Sequence, residues 1–325
     1  MMDRVPQEYV FPLDDYIQSG VHWVVDEWRP FFQALRWPIA KVLDVTLDSL
    51  VFMPFWGVVA VLLVLGWRLA DIRAGITAAL SFTVIAFLGL WDEAMISLSI
   101  LITSVVFCVI VGVPLGILAG RSNTFWAFLR PILDTMQTTP SFVYLVPVVM
   151  LFGIGTVPGV IATIIFSMPP IIRLTNLGLR QVPADAIEAG EAFGATEWQT
   201  LVRIRMPMAM PSIMAGLNQT LLMALVMSVI ISMIGAEGLG LTVLRGIGAL
   251  DVGLAGIGGL SIVLIAISLD RIFDGFGRPI DGKGPIAPGE EYPLQSPPIN
   301  PLERRRVREA LDVGVGGING LLTLG

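Results

Sequence analysis

Long apolar runs constrain this chain more than any other feature. Several of them reach the roughly 20 consecutive apolar residues that a helix needs to cross a bilayer. Of the 325 residues, 55% are hydrophobic and 14% are charged, whereas a soluble domain carries about 25% charged residues. No run alternates as the strands of a membrane barrel do, so the backbone must satisfy its hydrogen bonds within helices. The sequence therefore predicts an all-α polytopic membrane protein.

The apolar runs predict about seven membrane spans. We place them near 52–68, 74–90, 94–120, 131–152, 154–173, 208–234 and 249–272. Basic residues occur in the first, third and fifth connections, the second and fourth carry none, and the sixth has only Arg245. Because basic connections stay in the cytoplasm, we expect the N-terminus outside and the C-terminus inside. Arg36 and Lys41 weakly favour the opposite orientation.

Three regions differ in composition. Residues 1–50 mix aromatic with charged side chains, which predicts an extracytoplasmic tail with a helix near 20–48 on the membrane surface; a disordered tail is the alternative. Residues 51–273 hold the predicted spans, and 274–325 form a Pro- and Gly-rich segment expected in the cytoplasm. His22 is the only histidine, so an interfacial role is simpler than a metal site.

One stretch imitates a nucleotide site. Residues 277–283 read GRPIDGK, a near match to a P-loop. The stretch follows a predicted span instead of a strand, contains Pro279, and has Gly284 where Ser or Thr would hold magnesium. We therefore expect no ATPase site, no metal site and no bound cofactor in this chain, and any energy from ATP must come from a partner.

The segment 185–207 is far more charged than the apolar runs beside it. Asp185 and Glu188 match a capping box, and Gly194 suits the left-handed residue that ends a helix. Thr196 and Gln199 predict a second capping pair, and Pro207 predicts the start of a new segment. Helical spacing puts four small or apolar residues on one face: Ala186, Ala189, Gly190 and Phe193. The pattern predicts a helix, a glycine turn and a helix outside the bilayer.

The same segment resembles the EAA loop of bacterial ABC importer permeases. The spacing of that motif is kept throughout, with Gly in place of its third Ala and Met in place of its Leu, at Glu188, Ala189, Gly190, Gly194, Ile204, Met206 and Pro207. The resemblance implies that 176–207 is a coupling loop, which docks into a separate ATPase subunit that binds ATP and Mg. An ordinary helical hairpin between spans is the alternative.

Polar residues interrupt two of the predicted spans. One helical face of the fourth span carries Asp134, Gln137, Thr138 and Ser141. Pro140 is expected to bend that helix, and Asn218 and Gln219 interrupt the sixth span. We interpret both groups as lining a translocation pathway, with interhelical hydrogen bonding as an equal alternative. Close helix packing is predicted where glycines repeat every four residues, at Gly112, Gly116 and Gly120.

Residues 134–155 and 218–240 extend the resemblance to the permease subunits of glycine betaine/proline (compatible-solute) importers, over about 75–280. It implies the type I ABC importer permease fold, a permease homodimer, two cytoplasmic ATPases, an extracytoplasmic binding protein and the bacterial inner (plasma) membrane. The implied substrate is a small quaternary or tertiary amine: glycine betaine, choline, carnitine, proline betaine or trimethylamine N-oxide. A candidate extracellular gate, which departs from the family's pattern at its Glu, follows the sixth span at Gly235, Glu237, Gly238 and Gly240.

Two other functions stay open on the sequence alone. One is a permease of the same architecture for an amino acid such as proline or histidine. The other is an ion-coupled secondary carrier that acts without an ATPase. The carrier is disfavoured because no Glu or Lys lies deep in a predicted span, whereas such carriers usually bury ionisable groups.

Overall fold

The computed structural model describes residues 13–274, and within that range all regular secondary structure is helical. Three short turns of other helix types, Ser141–Tyr144, Leu201–Arg205 and Ile231–Ile234, adjoin the α-helices. The α-helices, in chain order, are α1 Leu13–Phe52, α2 Phe55–Leu69, α3 Ile72–Phe87, α4 Trp91–Arg121, α5 Asn123–Thr138, α6 Leu145–Phe152, α7 Thr156–Arg180, α8 Ala184–Ala192, α9 Glu197–Thr200, α10 Met206–Ile230, α11 Leu239–Gly248 and α12 Val252–Asp274.

Four of these helical segments are long and apolar enough to cross a membrane: Trp91–Arg121, Thr156–Arg180, Glu197–Ile234 and Val252–Phe273. Two bent pairs raise the possible number of spans to six. Pro30–Phe52 and Phe55–Leu69 meet at 108°, and Asn123–Thr138 and Ser141–Phe152 meet at 110°. By length and composition the described residues therefore give four to six spans, beside the predicted number of about seven.

The difference lies in α3, the second predicted span, because α2 already belongs to a bent pair. α2 has 15 residues and α3 has 16, so each is about 24 Å long or less, against a hydrocarbon thickness of about 30 Å. They form a tight hairpin, because a Cβ at Gly66 would lie 2.6 Å from the Cα of Gly75. The predicted runs 52–68 and 74–90 have 17 residues each, so their lengths agree with the observed helices to within two residues.

The centre of the bundle is the parallel pair α4 and α7. A Cβ at Gly112 would lie 2.5 Å from Ile171 Cγ2, and one at Gly116 would lie 2.5 Å from Thr175 Cβ. The third glycine of the repeat, Gly120, faces Leu179 in the same register. The predicted close packing is confirmed. α10 packs antiparallel against the other side of α7 and is brought close there by Gly178 and Gly216.

The N-terminal helix is longer than predicted and belongs to the bundle. Ile39 and Leu43 of α1 are buried, and Phe32 packs edge to face on Phe152 with ring centroids 5.5 Å apart. The disordered alternative is therefore wrong for 20–48. A position on the membrane surface stays a prediction.

Several predictions concern residues outside the described part of the chain. They are the tail 1–12, the side chain of His22, and the segment 275–325 with its P-loop-like stretch 277–283.

Gly116→Val should disrupt the contact of α4 with α7, because the added side chain meets both Thr175 and the backbone oxygen of Ile172. Overpacking of this kind costs about 1–3 kcal/mol or more, so we expect a clearly lower melting temperature in detergent. Gly256→Val is the matched control, since an added Cβ at Gly256 has no atom within 4 Å. Equal melting temperatures for the two variants would contradict the packing analysis.

Candidate functional site

The charged segment folds as a helix, a glycine turn and a helix. Gly194 has φ +78° and occupies the left-handed region, two residues after α8 ends at Ala192. Thr196 and Gln199 form a reciprocal capping box: the Thr196 amide donates to Gln199 Oε1 at 2.8 Å, and the Gln199 amide donates to Thr196 Oγ1 at 3.3 Å. The predicted turn and second capping box are confirmed.

The predicted first capping box is wrong. α8 begins at Ala184 with Pro183 as its N-cap, and no side chain caps it. Pro183 has φ −56° and ψ 135°, and this extended conformation before the first turn lets the helix begin one residue ahead of Asp185. Asp185 lies inside the first turn, where its carboxylate is favoured by the partial positive charge of the helix terminus.

Pro207 does not begin a separate segment, which is a second correction. The helix runs without interruption from Glu197 to Ile234, through a π-helical turn at Leu201–Arg205. The Met206 amide donates to the Leu201 carbonyl five residues earlier, which widens the helix just before the proline. A proline is tolerated where the regular hydrogen-bond ladder is already interrupted, so the loop continues directly into a span.

Two positions of the motif contact each other across the turn. A Cβ at Gly190 would overlap with Ile204 Cδ1, so alanine at this position requires the end of the Ile204 side chain to shift. The residues of the predicted small-residue face differ in burial: Ala186 and Gly190 are half-buried, while Ala189 and Phe193 are exposed. The loop is therefore packed on its inner side and presents Phe193 on its outer side.

The outer surface of the loop is apolar and acidic. Phe193 is 94% exposed and Trp198 is 67% exposed. Glu188 and Ala189, the first two residues of the motif, are exposed on the same short helix. Large apolar side chains this exposed outside a predicted span indicate a contact surface for another protein.

One ion pair joins this loop to α4, and a group of hydrogen bonds surrounds the end of α7 that enters the loop. Arg121 at the end of α4 pairs with Glu197 at 2.9 Å. Arg180 at the end of α7 donates to Asn176, Asn123 and the Ala119 carbonyl. In the sequence analysis these arginines indicated only the orientation of the chain in the membrane. Their partners are 57 or more positions away in three of the four contacts, so nothing local in the sequence indicated them.

The predicted pathway residues of the fourth span lie at a break. The helix ends at Thr138 and resumes at Ser141 with a 110° bend, so the predicted effect of Pro140 is confirmed. Ser141 consequently leaves the face that it would share with Asp134 in a straight helix. Asp134 itself bonds to Arg173 at 2.5 Å, while Gln137 and Thr138 are exposed.

The polar residues of the sixth span lie elsewhere. Asn218 Nδ2 donates to Asp270 Oδ1 of α12 at 3.1 Å, a partner that the sequence analysis missed. Gln219 is exposed. α10 and α5 both pack on α7, and α10 also contacts the turn Ser141–Tyr144. The bond to Asp270 is what the helix-packing alternative predicted for Asn218, and a pathway role for Asn218 stays a prediction.

The candidate gate is a glycine turn held against two helices. Gly235 and Gly238 have positive φ of +79° and +108°, and Gly240 lies against the Ser228 carbonyl, where a Cβ would overlap. The Leu239 amide donates to Ser97 of α4 at 2.8 Å. The fourth member of the gate, Glu237, is exposed, and its amide donates to Thr156 of α7 at 3.4 Å.

The gate and the charged segment 185–207, hereafter the charged loop, lie at opposite ends of α4. Ser97 contacts the gate and Arg121 contacts the loop. These residues are 121 − 97 = 24 positions apart in one helix, which corresponds to about 36 Å. That distance exceeds the hydrocarbon thickness of a bilayer, about 30 Å, so a membrane-spanning α4 puts the two features on opposite sides.

Comparison with known proteins identifies the family. The family model described as "Binding-protein-dependent transport system inner membrane component" matches residues 112–282, which include the whole charged loop and the gate. The chain belongs to this family. It is therefore a multi-pass inner-membrane transport component, and its apolar helices are membrane spans.

Individual relatives agree with the family. The glycine betaine/proline betaine transport system permease protein ProW of Escherichia coli is 49% identical over 85% of this chain and 78% of its own length. The glycine betaine permease OpuAB of Bacillus subtilis is 41% identical over 83% of this chain and 95% of its own. A glycine betaine/carnitine permease, GbuB of Listeria monocytogenes, is 38% identical over 84% of this chain and 98% of its own.

A solved structure supports the fold. A chain of the inward-facing MetNI methionine ABC transporter matches with a TM-score of 0.51 over 58% of this chain and 96% of its own. Its sequence identity is 22%, so the likeness concerns the fold alone. The type I importer permease fold predicted from the resemblance is confirmed.

Gly194→Val should disrupt the turn between α8 and α9, because a β-branched residue is strained at φ +78°. We expect a loss of about 1–3 kcal/mol in the local opening free energy of this loop, measured by hydrogen exchange of the amides from 184 to 200. Gly194→Asn is the control, since Asn tolerates this conformation. Unchanged protection in the valine variant would exclude the left-handed turn.

Proposed function

We propose that this permease moves a small quaternary or tertiary amine osmolyte into the cytoplasm, driven by a separate ATPase. Glycine betaine, choline, carnitine, proline betaine and trimethylamine N-oxide are the candidate substrates. The observation that carries the substrate class is the 49% identity to a glycine betaine/proline betaine permease over 85% of the chain. A trimethylamine N-oxide permease of Ruegeria pomeroyi, 34% identical over 83% of this chain, widens the class beyond betaines.

The ATPase docks on the charged loop. Exposed Phe193 and Trp198 provide the apolar contact, and exposed Glu188 provides a charge beside it. Buried aromatic anchors surrounded by polar groups are the usual centres of protein interfaces. In this proposal the loop faces the cytoplasm, ATP and Mg bind to the partner, and this chain hydrolyses nothing by itself.

A second copy of the chain completes the pathway. The break at Thr138–Ser141 leaves Gln137 and Thr138 exposed in the single chain, beside exposed Phe142. Lipid does not satisfy irregular backbone or polar side chains in the middle of a membrane, so such a break must face protein or a water-filled cavity. We place it at a two-fold interface between permeases, with Gln137, Thr138 and Ser141 toward the substrate.

Specificity for the amine resides in an extracytoplasmic binding protein. A quaternary ammonium ion is held best by an aromatic cage through cation–π contacts. The polar groups proposed for the pathway are amides and hydroxyls, which bind a zwitterion weakly enough to release it. The binding protein docks at the glycine gate, on the opposite side from the ATPase, and the complex contains two permeases and two ATPases.

Uptake by the reconstituted complex tests this function. Proteoliposomes containing the permease and its cognate ATPase, with ATP inside and the binding protein outside, should accumulate radiolabelled glycine betaine. Omission of the ATPase should abolish uptake. Accumulation of proline or histidine in place of betaine would select the amino acid importer, and uptake under an ion gradient without the ATPase would select a secondary carrier.

Phe193→Ala should weaken binding of the ATPase roughly thirtyfold, which corresponds to the loss of about 2 kcal/mol that truncating an aromatic anchor costs. The fold should survive, since the side chain is 94% exposed. Binding is measured by titrating the ATPase into permease in nanodiscs. Phe87→Ala removes a ring that is 86% exposed at the end of α3 and should leave the affinity unchanged. Equal affinities for all three proteins would place the docking surface elsewhere.

A further inference from the structure

The helix that enters the charged loop is bonded at its end to two other helices. Arg180, the last residue of α7, donates from Nε to Asn176 Oδ1 at 2.7 Å, from Nη1 to Asn123 Oδ1 at 2.6 Å and from Nη2 to the Ala119 carbonyl at 2.8 Å. Asn123 is the first residue of α5. Ala119 lies in the last turn of α4, where carbonyls lack partners and a cation is favoured. One guanidinium therefore joins α4, α5 and α7 four residues before α8 begins.

A second arginine of α7, Arg173, also bonds to α5, nearer the middle of α7. Arg173 Nη2 donates to Asp134 Oδ1 at 2.5 Å, and the Arg173 side chain is 31% exposed. Residues 173 and 180 are seven positions apart and so lie on one face of α7. Their partners on α5, 123 and 134, are eleven positions apart and also share one face. Two bonds at separate heights fix both the distance and the direction of α5 relative to α7.

The other arm of the broken helix is attached differently. α6 packs on α1, where Phe152 meets Phe32 edge to face. The loop that follows α6 is bonded to the last residue of the continuous helix Glu197–Ile234, since the Gly155 amide donates to the Ile234 carbonyl at 2.9 Å. α6 also packs on α7. The arm before Pro140 is thus bonded near the loop end of α7, and the arm after Pro140 is bonded at the gate end of the bundle.

We propose that Arg173 and Arg180 are positioning residues that make α5 move with the loop end of α7 and the charged loop as one body, while α6 stays with the gate end. Displacement of the loop then changes the bend at Thr138–Ser141, where Gln137 and Thr138 are exposed. This inference rests on the proposed function, because the displacement is attributed to a docked ATPase. It assigns Asp134 to the attachment of α5 and not to contact with substrate.

Spin-label distances test the attachment without any transport. Cys108 is the only cysteine and is buried, so labels at Phe128→Cys on α5 and Ala192→Cys on α8 report their sites alone. Both sites are exposed. The distance distribution should be narrow, and it should broaden when Arg180→Lys and Arg173→Gln are combined. A distribution that stays narrow in the double variant would overturn the proposal, whatever the complex transports.

Coupling is measured as substrate accumulated per ATP hydrolysed in the reconstituted complex. Arg180→Lys keeps the charge but cannot make three divergent bonds, and loss of hydrogen bonds to a charged group should lower the ratio by about tenfold. Arg68→Lys, an exposed arginine at the end of α2, is the control and should keep the ratio of the unmodified complex.

A charge exchange separates attachment from mere stability. Arg173→Asp alone should lower the ratio, and Arg173→Asp combined with Asp134→Arg should restore most of it. If the double exchange restores the melting temperature but not the ratio, the pair only stabilises the bundle and the proposal is wrong. If the unmodified complex shows no ATP-driven uptake, the proposed function fails, and the spin-label distances still decide whether α5 is attached to α7.

Discussion

Close contact between α4 and α7 determines where the rest of the molecule lies. Glycines at 112, 116 and 120 let the two backbones approach in a constant register, so both helices end at the same level. Only then do Arg121 and Arg180, at those two ends, reach the charged loop and the start of α5. At the opposite end of α4 the same register brings Ser97 to the glycine gate. Van der Waals contact of three α4 glycines with α7 thus positions the polar contacts at both ends of α4.

Features governed by local chemistry were predictable from the sequence. The left-handed Gly194, the Thr196–Gln199 box and the bend at Pro140 each depend on residues within one or two turns, and each is present. The two local errors have the same cause. In both cases a neighbouring residue or turn sets the backbone conformation. Pro183 is the N-cap in place of Asp185, and the π-helical turn before Pro207 lets the helix continue. Sequence patterns indicate several compatible caps or breaks, and only the folded chain selects among them.

Features that depend on distant pairing could not be predicted. The sequence places Arg173 near a predicted cytoplasmic end and Asp134 in another span, but nothing in their spacing shows that they meet. The same holds for Asn218 and Asp270. The α2–α3 hairpin is a related case, since the close contact of Gly66 with Gly75 pairs residues of two different helices. An apolar run predicts each helix, but not the helix against which it packs.

The charged loop is joined to the membrane-spanning helices by two short connections. On one side α7 continues into α8 after three residues. On the other, one helix runs from Glu197 to Ile234 and passes the full length of α7. The contact of Gly190 with Ile204 joins the two connections within the loop itself. In the proposed mechanism a force on Phe193 reaches α7 and, through Arg180 and Arg173, also α5. The break beside Pro140 ends α5 and lies at its exposed polar face.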